Sequence, residues 1–306
     1  MKLKDNDLPT EVIKWIINAV NPNATVNSIE RLKGSTSSTL HSISLQVNQS
    51  NYDVVLRQFD NKKWLQEEPD LAFHEAESLR FAADVEVPTP SIIAFDEGGI
   101  VCGNPLVLMT KLDGAVDILP ANMDHWVREL AHSLVKIHAV DTTDFQWTYF
   151  TYNDKTKLEV PSWSKVPDVW QKAIDIVKGP QPTVSKQFIH RDYHPTNVLW
   201  KNNKVSGVVD WVNACYGPAG IDVGHCRLNL VKLYGVQVAD QFLSAYLSLA
   251  GETYTYDVYW DILSVMDGGS DVYPGWEVFG VKGLTDGMME KRLDTYLKSL
   301  INRLVI

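Results

Sequence analysis

Apolar residues recur along this chain with two periods, and the dominant one changes near residue 115. In "TEVIKWIINAV", Val12, Ile13, Ile16 and Ile17 are interleaved with Glu11, Lys14 and Asn18. That spacing makes one apolar helical face, with Thr10 as the expected N-cap after Pro9. In "LHSISLQV", Ile43, Leu45 and Val47 alternate with Ser42, Ser44 and Gln46, the period of a half-buried strand. "QSNYD" has turn composition and "VVLRQF" resumes the strand pattern. "DLAFHEAESLRFAAD" returns to helical spacing at Leu71, Phe73, Ala76, Leu79, Ala82 and Ala83. "VPTPSIIAFDEGGIVCGNPLVLMT" then gives two short strands around a glycine-rich turn.

Residues 25–112 therefore predict a small β-sheet carrying one helix. Beyond about 115, helical patterns such as "MDHWVRELAHSLVKIHAV" and "VADQFLSAYLSLAG" dominate. The Asp- and Gly-punctuated "MTKLDGAVD" is the expected boundary, which gives domains over 1–112 and 113–306. The fold class is α+β, with a small sheet-bearing N-lobe and a larger, mostly helical C-lobe. A chain of 306 residues is long enough for two such lobes at roughly 100–200 residues per domain.

Composition narrows the partners. A 45% hydrophobic, 22% charged chain is ordinary globular protein rather than disorder or coiled coil. With 28 basic against 38 acidic residues the net charge is −10. Nucleic acid is not expected as a partner, because phosphate backbones call for basic stripes; a cationic small molecule is compatible. Cys102, Cys215 and Cys226 form no C-x-x-C pair and point to a reduced, cytoplasmic setting. The first twenty residues lack the continuous apolar run of a signal peptide. No run of 18 apolar residues predicts a membrane span.

The densest chemistry lies in "FIHRDYHPTNVLW", residues 188–200. Pro195 prevents a plain helix there, so Asp192 and Asn197 belong to a structured loop. The following "NVLWKNNKVSGVVDW" reads as a hairpin around Asn-Asn, its second strand ending at Asp210. Such a hairpin would bring Asn197 and Asp210 together, one neutral and one charged oxygen donor. That sparse oxygen set suits Mg²⁺, completed by water and substrate phosphates. Asp192, left off the metal, could accept a proton from a hydroxyl nucleophile. The protein-kinase loop has the same grammar. Zinc on His190 and His194 is the alternative, but it lacks a third clustered ligand and a helix to align the pair. Satisfied turn backbone is the plain alternative for Asp192 or Asn197 taken singly.

"IHRDYHPTNVLW…GVVDW" resembles the aminoglycoside phosphotransferase family, the small-molecule branch of the protein-kinase-like fold. Trp211 stands where protein kinases carry the phenylalanine of their metal-binding motif. The resemblance covers most of the chain and is strongest over 188–227. It implies a bilobal kinase-like fold, Asp192 as catalytic base, Asn197 and Asp210 as Mg²⁺ ligands, and ATP or GTP as phosphoryl donor. It also implies N-lobe counterparts. "LKGSTSSTL" supplies small and hydroxyl residues, Ser35, Thr36, Ser37 and Ser38 after Gly34, for phosphate contact. Arg57 in "VVLRQF" replaces the usual lysine and could grip phosphate bidentately. Glu75 is its expected helix partner, with Glu77 as competitor. Lys111 and Leu112 fall at the hinge, where backbone groups would meet the nucleotide base. Asp222 is expected to open a helix and brace the loop. His190 and Arg191 brace rather than react, and His194 packs the loop.

The acceptor is less explicit. Residues 252–277 hold six acids, six aromatics and no lysine or arginine, among them Asp257, Asp261 and Tyr273. Asp257 and Asp261 at i, i+4 would share a helical face, and carboxylates with aromatic faces suit a cationic or sugar-like ligand. An aminoglycoside fits, as does another amino alcohol, a macrolide or a metabolite. A solvated acidic face over an aromatic core, or a nucleotide-binding module without transfer, are the competing readings.

Overall fold

In the computed structural model, which describes residues 8–33, 37–140, 144–252, 254–268 and 275–304, the strand period of the early chain resolves into one antiparallel sheet. It belongs to the first of two units, comprising Met1–Asp84, Pro88–Asp113 and Val209–Asn213. The elements are α1 (Thr10–Val20), β1 (Thr25–Arg31), β2 (Thr39–Val47), β3 (Ser50–Gln58), α2 (Lys62–Glu67), α3 (Leu71–Ala82), β4 (Ile92–Asp96) and β5 (Leu106–Thr110). Sheet order is β1-β2-β3-β5-β4. The β2–β3 register runs from Thr39 opposite Gln58 to Val47 opposite Ser50, across a turn with Asn48 at φ 55°.

Alternation decides the faces. Ile43 and Leu45 of β2, Val54 and Leu56 of β3, and Leu106 and Leu108 of β5 form one buried cluster with Val12 and Ile16 of α1. Each such side chain contributes about 1.5–3 kcal/mol by leaving water. Two details differ from the sequence expectation. Helix α1 begins at Thr10 itself, with Pro9 at the cap position and no side-chain cap bond. The unit also holds α2, so the expectation of one helix on the sheet is too few. Asn61 accepts the Trp64 N–H, and Trp64 Nε1 donates to Glu68 over 2.8 Å. This helix buries no residue, so it carries no apolar stripe for periodicity to reveal.

The second unit comprises Val85–Val87, Gly114–Val208 and Ala214–Ile306. Its elements are β6 (Ala115–Val116), α4 (Met123–His138), α5 (Pro167–Lys178), β7 (Lys186–Ile189), β8 (Val198–Lys201), β9 (Lys204–Val208), β10 (Cys215–Pro218), α6 (Gly220–Tyr234), α7 (Val236–Ala250), α8 (Tyr259–Gly268) and α9 (Asp286–Arg303). Strands β6-β8-β9 form one small sheet and β10-β7 another. Asn202 and Asn203 turn the β8–β9 hairpin at φ 54° and 61°, the left-handed pair of a type I′ turn. Strand β9 ends at Val208, so Asp210 lies beyond the strand rather than at its end. Residues 209–213 group with the first unit and 85–87 with the second, so no single cut in the chain separates the units.

Helix α6 packs against α7, α8 and α9. A Cβ on Gly224 would stand 2.6 Å from the Trp260 carbonyl oxygen, so only glycine lets α8 approach this closely. Among the described residues no helix is long and apolar enough to cross a membrane.

Candidate active site

The loop between β7 and β8 is fixed from behind by one carboxylate. Asp222, in the first turn of α6, is fully buried. Its Oδ2 accepts the His190 N–H at 2.8 Å and its Oδ1 accepts the Arg191 N–H at 2.6 Å. His138 Nε2 of α4 lies 3.0 Å from the same carboxylate, and His138 Nδ1 lies 2.7 Å from the Tyr246 hydroxyl of α7. Two main-chain donors held by one charged acceptor make a strong anchor. It maintains Arg191 at φ 67°, a left-handed backbone that costs a non-glycine residue of order 1–3 kcal/mol. The Arg191 guanidinium is gripped separately, 4.2 Å from the ring centres of both Phe150 and Tyr152, and it donates to the Phe150 carbonyl over 2.7 Å. Both His190 and Arg191 therefore hold the loop in shape.

The anchored backbone presents Asp192. Asn197, at the end of a short 3₁₀ turn (Pro195–Asn197), donates from Nδ2 to the Asp192 carbonyl at 3.0 Å and to Asp192 Oδ2 at 3.3 Å. The other oxygen, Oδ1, faces two imidazoles: His225 Nε2 at 3.1 Å and His194 Nε2 at 3.6 Å. Burial pushes the Asp192 carboxyl upward, but His194 and His225 outweigh it and hold it well below the usual carboxylate range. The side chain keeps 32% of its surface exposed, which limits the opposing effect of burial. Asp192 is thus an anion at neutral pH. His194 does more than pack the loop, and the sequence reading missed His225 altogether. It lies one helical turn beyond Asp222, so the only available signal was that two polar residues at i, i+3 on a helix face the same way.

In the first unit, Arg57 of β3 joins two carboxylates. Its Nε lies 3.1 Å from Glu75 Oε2 of α3, and its Nη2 donates to Asp210 Oδ1 at 2.8 Å. Glu77 pairs instead with Arg80, one turn along its own helix, so Glu75 is the partner of Arg57. Burial pushes the Glu75 carboxyl up to about 7, against the pull of the Arg57 guanidinium and with a further push from Asp210. Asp210 sits at φ 69°, in the left-handed region, two residues beyond the end of β9. Ser37 and the buried Ser38 lead into β2; Gly34, Ser35 and Thr36 lie outside the described residues. Lys111 and Leu112 follow β5, and the Lys111 N–H is already given to the Asp53 carbonyl at 3.1 Å. A base contact at this position would therefore fall to Leu112 or to carbonyl groups.

The acidic segment differs most from expectation. Asp257 precedes α8 and accepts the Tyr259 N–H at 2.8 Å, so it caps the helix and does not share a face with Asp261. Asp261 is fully buried. It pairs with Arg227 of α6 and accepts hydrogen bonds from Tyr256 and Tyr296, each at 2.8 Å. Its charge is spent inside the fold and is not available to a cationic ligand. Asp267, at the end of α8, is different. It accepts from Asn153 at 2.9 Å. Burial raises its carboxyl, against Asn153 and the positive charges of Lys155, His225 and Arg191. Among the described acids of this segment, Asp267 is the one that interacts with His225, a neighbour of Asp192. Tyr273 lies outside the described residues.

Residues 40–259 match the phosphotransferase enzyme family, APH. No curated protein sequence matches the chain. Among solved structures, a Ralstonia eutropha JMP134 protein described as a candidate aminoglycoside phosphotransferase is 17% identical with a TM-score of 0.63, covering 97% of this chain and 98% of its own. A thermostable mutant of aminoglycoside phosphotransferase APH(4)-Ia, in ternary complex with ADP and hygromycin B, is 18% identical with a TM-score of 0.60, covering 95% and 99%. Macrolide 2′-phosphotransferase MphH from Brachybacterium faecium is 13% identical with a TM-score of 0.56, covering 93% and 98%. These likenesses identify the fold as the protein-kinase-like phosphotransferase fold.

Proposed function

The chain belongs to the phosphotransferase enzyme family, and we propose that it transfers the γ-phosphoryl group of ATP or GTP to a hydroxyl of a small cationic acceptor such as an amino sugar. The observation that carries this reading is the setting of Asp192. It is an anion with one oxygen held by Asn197 and the other directed at His194 and His225, on a loop whose backbone Asp222 fixes.

Phosphoryl transfer needs positioning and charge neutralisation more than covalent help. A carboxylate with a low pKa is a weak base, but it accepts a hydrogen bond well. Asp192 would orient the acceptor hydroxyl in line with the phosphorus and take its proton late, as the new P–O bond forms. Arg57, Ser37 and Ser38, with Ser35 and Thr36, would contact the nucleotide phosphates. Glu75 would hold the Arg57 guanidinium, and Leu112 would face the base. Asn197 and Asp210, one neutral and one charged oxygen donor, have the chemistry that Mg²⁺ takes. Asn197 spends its amide nitrogen on Asp192, which leaves its carbonyl oxygen to face a cation. Asp210 offers the oxygen not taken by Arg57. Bound there, Mg²⁺ would neutralise phosphate charge.

The acceptor class is supported by the net charge of −10 and by Asp267. The ADP and hygromycin B complex of APH(4)-Ia makes hygromycin B and other aminoglycosides the first compounds to try, with macrolides as a control class. The test is a panel of amino sugars, amino alcohols and macrolides incubated with Mg·ATP or Mg·GTP, with products read by mass spectrometry for one added phosphoryl group. Transfer by the wild type and its loss in Asp192→Asn is the expected result. Unimpaired turnover in Asp192→Asn would remove Asp192 from the chemistry.

A further inference from the structure

Asp192, His194 and His225 bring one carboxylate oxygen and two imidazole nitrogens within 4.8 Å of one another. We propose that this trio is a binding site for a divalent transition-metal ion of the Zn²⁺ type, distinct from the oxygen-ligand Mg²⁺ site, and that a metal held there silences the enzyme. The binding stands on geometry alone; the silencing rests on the reading of Asp192 as the proton acceptor.

The distances fit a compact tetrahedral site. With bonds of about 2.0–2.1 Å to nitrogen and oxygen, the ligand atoms of tetrahedral zinc stand about 3.3–3.4 Å apart. The separations from Asp192 Oδ1 are 3.1 Å to His225 Nε2 and 3.6 Å to His194 Nε2, on either side of that value. The imidazole planes are inclined by 69° with ring centres 5.6 Å apart. They do not stack, so both rings can turn an edge toward one point. The three side chains are 19–32% exposed, which leaves an ion access and room for a water as fourth ligand.

The supporting contacts suit the same use. Metal-bound histidines commonly donate their other N–H to an oxygen, which fixes the ring. His194 Nδ1 has that partner in Thr196 Oγ1 at 2.9 Å. Asn197 holds Asp192 Oδ2, which leaves Oδ1 to the ion. His225 projects from α6, a helix set by close packing on α8. The Asn229 amide lies 3.3 Å from His225 Nε2 and 3.0 Å from the His225 carbonyl. An incoming metal would displace only the longer contact. The Asp267 carboxylate, which interacts with His225, adds negative charge beside the trio.

Ligand softness separates the two sites. Imidazole favours Zn²⁺, Cu²⁺, Ni²⁺ and Co²⁺, whereas Mg²⁺ takes oxygen and dehydrates reluctantly. An ion on Asp192 Oδ1 would remove the oxygen that faces the acceptor hydroxyl and would set a positive charge where the proton must go. Transfer would stop until the metal left.

The experiment uses the full-length protein with Mg²⁺ in large excess. Co²⁺ is titrated in while the visible absorption is followed, then Zn²⁺ is added to displace it. One equivalent of Co²⁺ with tetrahedral bands is expected, with binding weakened more than tenfold in His225→Ala and in His225→Gln and abolished in the His194→Ala/His225→Ala pair. Melting temperature checks that the variants are folded. Absent bands, or bands unchanged in the double variant, would overturn the site. This readout needs no turnover, so it stands even where no acceptor is phosphorylated. In the transfer assay, Zn²⁺ should silence the wild type, and a chelator selective for Zn²⁺ over Mg²⁺ should restore it. Stoichiometric Co²⁺ or Zn²⁺ binding with transfer undiminished would overturn the silencing.

Discussion

Arg57 Nη2 and Asp210 Oδ1 meet at 2.8 Å although 153 positions separate them in the chain, while the same guanidinium reaches Glu75. Arg57 and Glu75 are both buried, so removing the cation strands a carboxylate where water cannot help it. Arg57→Met should destabilise the protein by about 3–5 kcal/mol, part of which Glu75 would recover by taking a proton. Adding Glu75→Gln to that background should restore stability, because it removes the stranded charge. Urea denaturation of the two single variants and the double closes the cycle. Additive losses would show that the pair is not coupled.

Glu75 also sets a pH dependence. Its carboxyl is raised from an ordinary 4.5 to about 7, so between those values the folded chain holds a proton that the unfolded chain has released. The stabilisation is complete below about pH 4.5 and is lost as pH rises through 7, amounting to roughly 3 kcal/mol. Glu75→Gln should flatten that part of the stability curve. Denaturation midpoints at half-unit steps from pH 4.5 to 8 measure it, and identical slopes for both proteins would rule it out.

Asp222 touches no reacting atom in this scheme, yet its loss should be felt in turnover. Asp222→Ala leaves the His190 and Arg191 N–H groups and His138 without their shared acceptor. A cost of about 2–5 kcal/mol in stability follows from burying such donors unpaired. In variants that still fold, kcat should fall while nucleotide KM changes little, because the Arg57 cluster is untouched. A rise confined to KM would place Asp222 in binding instead.

The hydrophobic periods exposed most of the frame. The strands of the first unit, α3, α4 and the Asn-Asn hairpin all follow from residues that decide locally which way the backbone goes. The contact between Asp192 and Asn197 was equally legible, since one loop contains both. Glu75 and Glu77 could not be separated from sequence, because two residues of phase on a helix lie within the error of reading its face. Helix α2 escaped because it buries nothing. His225 escaped because its relation to Asp192 is made by the packing of α6 against the loop, a long-range fact whose one local sign is its i, i+3 spacing from Asp222. Asp261 was misjudged for the same reason: its cation, Arg227, comes from a different helix.

That misjudgement yields a contrast within a single acidic segment. Asp261 is enclosed with Arg227, Tyr256 and Tyr296, so Asp261→Asn should lower the melting temperature and leave the KM for the acceptor as it was. Removing one partner of a buried pair costs about 3–5 kcal/mol. Asp267 accepts from the neutral Asn153 side chain and lies within reach of the charges of Lys155, His225 and Arg191. If the acceptor is a cation, Asp267→Asn should raise its KM by about tenfold, the worth of one charge-assisted hydrogen bond, with little loss of stability. For an uncharged acceptor the same substitution should leave KM unchanged. Acceptor KM and melting temperature, measured for both variants against a cationic and an uncharged acceptor, therefore separate the structural acid from the recognising one. Should Asp261→Asn alter KM selectively for the cationic acceptor while stability holds, the two assignments would have to be exchanged.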